Sequence, residues 1–228
     1  RIANELYLKR LIVGGKTGVY EFAKDFRNEG MDRTHNPEFT MLELYVAYKD
    51  YNWMMVFVEN LFEKIAIELT GKKTITHDTK KINYKAPYKR ISFFDSIKKE
   101  TGDDISKMTE KELASYCVSK EIETSPSMGK GKLFDAVFGR FCEHTLIQPT
   151  FITDYPVEMS PLTKKHRKKE NLTERFELFI NGKEIANAYS EQNNPIEQRK
   201  SFEEQIKLAE KGDEEAMLID NAFLTAIE

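Results

Sequence analysis

The dipeptide Asn181-Gly182 constrains the fold of this chain more than any other feature. Strand-like runs flank it, Arg175 to Ile180 before and Lys183 to Tyr189 after, and Asn-Gly is the favoured two-residue turn of an antiparallel hairpin. A turn of this length fixes the register and places Phe179 opposite Glu184. The sequence therefore predicts an antiparallel sheet that contains this hairpin.

The hairpin carries acids at a spacing of seven residues. Glu177 precedes Phe179 by two positions, so it shares a sheet face with Glu184. Carboxylates on one face repel each other unless a cation joins them, and Mg²⁺ takes one or two carboxylates together with substrate phosphates. We therefore predict that Glu177 and Glu184 bind Mg²⁺, the alternative being ordinary exposed strand acids. Glu191 should face the other side unless a bulge intervenes.

A second hairpin is predicted from the strand-like runs Gly18 to Arg27 and Phe39 to Tyr48. Counted from Arg27 to Glu38, the connection holds two arginines, three acids, a histidine and two asparagines. A loop that only had to turn would need Gly, Asn or Pro and little else. Its composition is typical of a site that holds an anion with planar cations, while acids and amides orient a base or an amine.

Composition limits the class of protein. The 228 residues carry a net charge of −3 and are 32% charged, which fits a globular domain and gives no general attraction to nucleic acid. No apolar run approaches the ~18 residues of a spanning helix, so no membrane association is expected. Cys117 and Cys142 are predicted to be reduced core thiols of a cytoplasmic protein. The basic run Lys164 to Lys169 is typical of a solvated loop, or of a site near phosphate or RNA.

The remaining pattern predicts an α+β fold, with a mostly antiparallel sheet, flanking helices and an inserted helical block. Asn4 is a candidate N-cap for the first helix, and Thr109 with Glu112 forms a capping-box signature in the block. We expect one discontinuous domain, built from a core with the first hairpin, an inserted connecting and helical region, and a core with the second hairpin (residues 1–71, 72–145 and 146–228).

Three glutamates lie next to apolar or aromatic residues in sequence. They are Glu5 beside Leu6 and Tyr7, Glu43 near Tyr45, and Glu191 near Tyr189. Acids that line an aromatic pocket suit a small amine or dication, through charge pairing assisted by ring faces. The sequence alone does not bring them together.

The first hairpin resembles a known family. The stretch Arg27-Asn28-Glu29-Gly30 followed by Arg33-Thr34-His35-Asn36-Pro37-Glu38-Phe39-Thr40 is similar to motif 2 of class II aminoacyl-tRNA synthetases, in the form typical of the lysyl-tRNA synthetases. The resemblance extends through residues 1–10, 148–152, 159–162 and 175–191. It implies the antiparallel class II catalytic core and a two-step reaction, in which lysine and ATP form lysyl-adenylate and the lysyl group then passes to tRNA(Lys).

The resemblance also implies roles for particular residues. Arg27 is the expected catalytic residue, bridging the ATP α-phosphate and the lysine carboxylate. The expected ATP-binding residues are Arg27, Asn28, Glu29, His35, Asn36, Phe39, Glu177 and Glu184, the last two with Mg²⁺. The expected lysine-binding residues are Glu5, Arg27, Glu43, Tyr45, Asn187, Tyr189 and Glu191.

The chain departs from the family pattern in what it lacks. Family members also carry an anticodon-binding domain, motif 1 at a homodimer interface, and motif 3 with a second arginine. We therefore expect a truncated piece of the catalytic domain that is inactive alone, from a homodimeric parent. Two alternatives stay open: a lysine-activating relative that modifies a protein, and a non-catalytic binding module derived from a synthetase.

Overall fold

A computed structural model describes residues 2–28, 30–31, 35–77, 79–210 and 219–228. The chain divides into two compact units. The first comprises the described residues of Arg1–Lys49 with Asn194–Ile196 and Asp220–Glu228, and the second those of Asp50–Asn193 and Glu197–Ile219. Each unit is described by itself below.

Seven α-helices and eight strands form within the described residues. In chain order they are α1 (Glu5–Val13), β1 (Gly18–Phe26), β2 (Glu38–Val46), α2 (Tyr51–Thr70), β3 (Thr74–His77), β4 (Lys80–Asn83), β5 (Lys89–Ser92), α3 (Phe93–Thr101), α4 (Glu110–Ser119), α5 (Lys130–Phe141), β6 (Thr150–Thr153), β7 (Arg175–Ile180), β8 (Lys183–Tyr189), α6 (Pro195–Glu210) and α7 (Asn221–Ile227). Two short 3₁₀ helices, Glu143–Thr145 and Val157–Met159, complete them. No helix in these ranges is long and apolar enough to cross a membrane.

The first unit is built on the predicted hairpin. Strands β1 and β2 pair antiparallel from Gly18 opposite Val46 to Phe26 opposite Glu38, and α1 packs against both of them and against α7. Asn4 occupies the predicted N-cap position of α1, but its side chain makes no capping hydrogen bond. Asn4 is instead buried, and its backbone N–H donates to the Glu43 carboxylate at 3.2 Å.

The second unit centres on a four-stranded sheet in the order β5-β6-β7-β8, in which β5 and β6 are parallel and the other pairs antiparallel. Phe179 pairs with Glu184, which confirms the predicted register. Asn181 and Gly182 both adopt positive φ, 55° and 72°, as this turn requires. Their N–H groups donate to the carbonyls of Ile147 and Leu146 at 2.9 and 3.0 Å, which anchors the turn.

Alternate residues of β6 and β7 point into two separate cores, so these two central strands are buried on both faces. On one face they meet α2, in a core of Tyr51, Met55, Val58, Ile82, Tyr88, Phe151, Phe176, Leu178 and Ile180. On the other they meet the helical block α3–α5, in a core that includes Phe93, Ile97, Leu113, Leu133, Phe134, Val137, Phe138, Ile152, Tyr155 and Phe179. The α+β fold class is confirmed.

The helical block is a packed layer of the second unit. The capping box predicted at Thr109 and Glu112 is present at the start of α4. Cys117 and Cys142 are free thiols buried in this layer, as predicted, and burial raises the pKa of Cys142 to about 11. Both thiols are therefore protonated, inert core side chains near neutral pH.

The basic run is an exposed loop, as one of the two predictions had it, and two of its cations pair with buried acids. Arg167 donates through Nε and Nη2 to the two carboxylate oxygens of Glu174 at 2.6 and 2.9 Å, and through Nη2 to Asp50 at 2.9 Å. Lys169 pairs with Asp154 at 2.6 Å. Because the side chains of Glu174 and Asp154 are only 3% and 8% exposed, the run serves to neutralise buried acids beside β7.

Two glycines of α5 give opposite expectations for the same substitution. A Cβ at Gly131 would lie 2.6 Å from the carbonyl oxygen of Glu158, whereas a Cβ at Gly139 would meet nothing nearer than 3.8 Å. Gly131→Ala should therefore destabilise the chain by about 1–3 kcal/mol through backbone displacement. Gly139→Ala should stabilise it by about 0.5–1 kcal/mol through helix propensity. Urea unfolding of both variants measures the difference, and equal effects would contradict the packing of α5.

The buried pair of Glu174 and Arg167 predicts a pH-dependent stability. Burial alone would raise the pKa of Glu174, but hydrogen bonds from Arg167 and Ser190 and the charge of Arg167 lower it. A carboxyl whose folded-state pKa is lowered stabilises the fold above its unfolded pKa of about 4.3, and this contribution is lost as pH falls through the folded value. Glu174→Gln should thus be less stable than wild type at pH 7, with the difference vanishing at more acidic pH.

Unfolding midpoints at several pH values check this expectation. Glu170→Gln serves as the control, because Glu170 is an exposed residue of the same loop. A difference for Glu174→Gln that does not change with pH would show that the ion pair is not its source.

Candidate active site

Four predicted site residues of the first unit, Arg27, Phe39, Glu43 and Tyr45, share one face of the β1–β2 hairpin. Asp25 pairs with Phe39 and Glu21 with Glu43, and side chains alternate along each strand. Phe39, Glu43 and Tyr45 therefore lie on one side of β2. Arg27 continues the ladder just beyond β1, since its N–H donates to the carbonyl of Pro37 at 3.0 Å.

Arg27 and Phe39 are in contact on this face. The guanidinium carbon of Arg27 lies 5.2 Å from the centre of the Phe39 ring, and Nε donates to the carbonyl of Ile2 at 3.2 Å. Among the described residues Arg27 forms no ion pair, so no described carboxylate neutralises it. A half-buried, planar guanidinium on a ring face suits an anion that accepts two parallel hydrogen bonds, such as a carboxylate or phosphate.

Glu43 is the best-anchored acid of the first unit. Its carboxylate accepts from the Tyr45 hydroxyl at 2.9 Å and from the Asn4 backbone N–H at 3.2 Å. Burial raises the pKa of Glu43, and the charges of Glu5 and Asp25 add to that effect against the two hydrogen bonds. Such a desolvated carboxylate gains most from a bound cation.

Two charged residues near Glu43 were not predicted from sequence. Lys9, 6% exposed, pairs with Glu5 at 2.5 Å, so Glu5 is already partly neutralised. Asp25 is fully buried, and neither of its carboxylate oxygens has a hydrogen-bond partner among the described residues. The alternation of β1 could have placed Asp25 on the face of Glu43, but its burial depends on α1.

Of the loop residues predicted to hold ATP, the structure describes Asn28, His35 and Asn36. All three are exposed, and the Asn36 amide donates to the carbonyl of Glu38 at 2.9 Å. Glu29 lies outside the described residues.

The site residues of the second unit lie on the β7–β8 hairpin. Beyond the pair Phe179–Glu184 the register shifts, so Leu178 pairs with Ala186 and Glu177 with Asn187. Ile185 is therefore an extra residue in β8, which makes this irregularity a bulge. The bulge brings Asn187 and Tyr189 to the face of Glu177 and Glu184. Because side chains alternate along a strand, Glu191, two residues after Tyr189, is assigned to the same face.

Glu177 is held on both carboxylate oxygens. Oε1 accepts from Arg175 Nη2 at 2.5 Å and lies 3.4 Å from the Asn187 amide nitrogen, while Oε2 accepts from the Tyr155 hydroxyl at 2.7 Å. Sequence reasoning missed Arg175 and Tyr155. Arg175 could have been predicted as a partner of Glu177, because it lies two residues earlier on the same face of the strand.

Glu184 is the open carboxylate of this hairpin. Crowding by protein atoms and the charge of Glu177 raise its pKa, with smaller contributions from Glu143 and Asp135 of the helical block. More than a third of its surface still reaches solvent, which limits the effect and leaves its oxygens accessible.

The described residues contain no group of three or more His, Cys, Asp or Glu arranged as a complete metal site. Two neighbouring carboxylates, one buried and oriented and one accessible, still fit Mg²⁺, which takes few protein ligands and completes its shell with phosphate and water. The predicted pair Glu177 and Glu184 therefore suits that ion chemically.

Comparison with known proteins gives a family for the whole chain. A family model described as tRNA synthetases class II (D, K and N) matches residues 1–228. Over all 228 residues the chain is 64% identical to a lysine–tRNA ligase of Christiangramia forsetii, 62% to one of Porphyromonas gingivalis and 58% to one of Azobacteroides pseudotrichonymphae. It spans 40%, 39% and 46% of the length of these three relatives.

Proposed function

The chain belongs to the class II tRNA synthetases, and from that premise we propose that the full-length protein containing it is a lysine–tRNA ligase. It activates lysine with ATP, releasing pyrophosphate, and transfers the lysyl group to tRNA(Lys). The observation that carries the proposal is identity of 58% to 64% with lysine–tRNA ligases along all 228 residues. Those names favour a tRNA ligase over the two alternatives.

The charges of the site residues support lysine as the amino acid. Lysine presents two ammonium groups and one carboxylate, so its pocket needs acids for the first two and a cation for the third. Glu5 and Glu43 with Tyr45 supply acids in the first unit, and Arg27 supplies the cation. Asn187, Tyr189 and Glu191 of the second unit are proposed lysine-binding residues as well.

The activation step is an in-line displacement. A lysine carboxylate oxygen forms a bond to the α-phosphorus of ATP, and the bond from that phosphorus to pyrophosphate breaks. Arg27 touches both reactants, neutralises the charge that builds up between them and holds them in line. The substrate itself provides the nucleophile, so no protein side chain is required to attack.

The other ATP contacts are assigned to the first hairpin. Phe39 stacks on the adenine, Glu29 accepts from its amino group, and Asn28 and Asn36 border the nucleotide. His35 reaches towards the β- and γ-phosphates, where its exposed position in the loop supports access.

The hairpin β7–β8 holds the metal in this proposal. Glu184 provides the accessible carboxylate, and Glu177 the one fixed in advance by Arg175 and Tyr155. Mg²⁺, when bound with ATP, neutralises charge on the phosphates.

The wider setting follows from the same family. We propose a homodimeric protein of the cytoplasm, where the buried free thiols of Cys117 and Cys142 stay reduced. The insert at residues 72–145 and the single discontinuous domain belong to this proposal as well.

Arg27→Ala should reduce lysine-dependent ATP–pyrophosphate exchange by the full-length protein about 100-fold or more, because a charge-stabilising donor is lost at the reacting phosphorus. Lys24→Ala is the matched control. Lys24 lies on the other face of the same hairpin, paired with Glu38 at 2.8 Å, and its loss should leave exchange within about twofold, as for surface sites away from such features.

Exchange and tRNA charging are measured on both variants. Near-normal exchange by Arg27→Ala would refute the role of Arg27. Exchange without charging of tRNA(Lys) would redirect the proposal to another acceptor.

A further inference from the structure

Arg175 lies where the two halves of the β7–β8 site meet. Its Nη2 donates to Glu177 Oε1 at 2.5 Å, and its Nε donates to Asn187 Oδ1 at 3.1 Å. Nη1 donates to the carbonyl of Met159 at 2.6 Å and to Ser160 Oγ at 3.1 Å. One guanidinium thus contacts both the carboxylate assigned to the metal and the amide assigned to the amino acid.

The arrangement is held by several hydrogen bonds and is largely shielded from solvent. The side chains of Arg175 and Glu177 are 13% and 11% exposed, and the guanidinium carbon lies 4.7 Å from the ring centre of the buried Tyr155. The Tyr155 hydroxyl fixes the second oxygen of Glu177 at 2.7 Å. Neither the carboxylate nor the amide can turn without breaking a bond to Arg175 or Tyr155.

We propose that Arg175 is a positioning residue that orients Glu177 and Asn187 together and so couples the binding of Mg²⁺ and ATP to the binding of lysine. The inference rests on the proposed function of the site. Arg175 acts through its two neighbours and touches no substrate. Because one cation holds both groups, a ligand that orders Glu177 also orders Asn187, and the effect on affinity is reciprocal.

A lysine cannot replace Arg175 in this role. The contacts use all three guanidinium nitrogens in a planar fork, with four acceptors in different directions, whereas an ammonium is a point charge on a flexible stem. Arg175→Lys therefore keeps a positive charge beside Glu177 but no longer orients Glu177 and Asn187 together.

A purely structural role is the competing explanation, since Arg175 also ties down the segment at Met159 and Ser160. Such a role would change thermal stability and the amount of folded protein. It would not change the factor by which Mg²⁺ and ATP improve lysine binding.

The test uses the full-length protein. Calorimetry measures the Kd of lysine with and without Mg²⁺ and a non-hydrolysable ATP analogue, and the half-saturating Mg²⁺ concentration is taken from analogue binding. The matched control is Arg167→Lys, which also breaks a forked pair with a carboxylate, at Glu174. Circular dichroism and thermal melting show whether each variant folds.

For Arg175→Lys we expect the Kd of lysine and the half-saturating Mg²⁺ concentration each to rise about 10-fold or more, as is usual when a ligand's supporting contacts are removed. The coupling factor should fall towards one. Arg167→Lys should keep all three values within about twofold, because it lies off this network. A folded Arg175→Lys protein with the wild-type coupling factor overturns the inference.

Tyr155→Phe decides the question if Arg175→Lys does not fold. It removes only the donor to Glu177 Oε2, so the half-saturating Mg²⁺ concentration should rise several-fold while lysine binding without nucleotide stays unchanged. An unchanged Mg²⁺ requirement overturns the inference. Absence of lysine-dependent exchange in wild type would instead overturn the proposed function, and this inference with it.

Discussion

Burial of β7 on both faces is the constraint on which the second unit depends. Phe176 and Leu178 fill the core under α2, while Phe179 fills the core under the helical block. Glu177 lies on that second face among apolar neighbours, where an unpaired carboxylate would be costly. The ion pair with Arg175 and the hydrogen bond from Tyr155 offset this cost, so the packing of the sheet and the orientation of a site residue have the same physical origin.

The acids of the molecule fall into two environments with different consequences. Glu174 and Asp154 are neutralised by Arg167 and Lys169 of the basic run, which leaves them structural. Glu43 and Glu184 are not compensated to that extent, and their pKa values are raised. Carboxylates that stay under-neutralised cost stability, which is common at binding sites. The charges of Asp135 and Glu143, in and just after the helical block, add to the raised pKa of Glu184, although no residue of the block has an assigned role.

Local signals in the sequence predicted local structure well. The Asn-Gly turn fixed Phe179 opposite Glu184, and the capping box at Thr109 formed as expected, because both depend on a few adjacent residues. The side-chain cap expected at Asn4 did not form, and the burial of Asn4 and its backbone contact with Glu43, 39 positions away, have no local signal. Arg175, Lys9 and the buried partners of the basic run were missed for the same reason. Their roles depend on contacts that only the folded chain creates.

The bulge at Ile185 has a consequence for how this hairpin can vary. Glu184 precedes the extra residue in the chain, whereas Asn187 and Tyr189 follow it. If β8 kept this residue in a regular ladder with no bulge, Asn187 would move from Glu177 to a position opposite Phe176, and everything downstream would turn to the opposite face. The groups assigned to the amino acid would leave the site while those assigned to the metal remained. The constraint on β8 is thus the bulge itself rather than the side chain at position 185, which is 43% exposed.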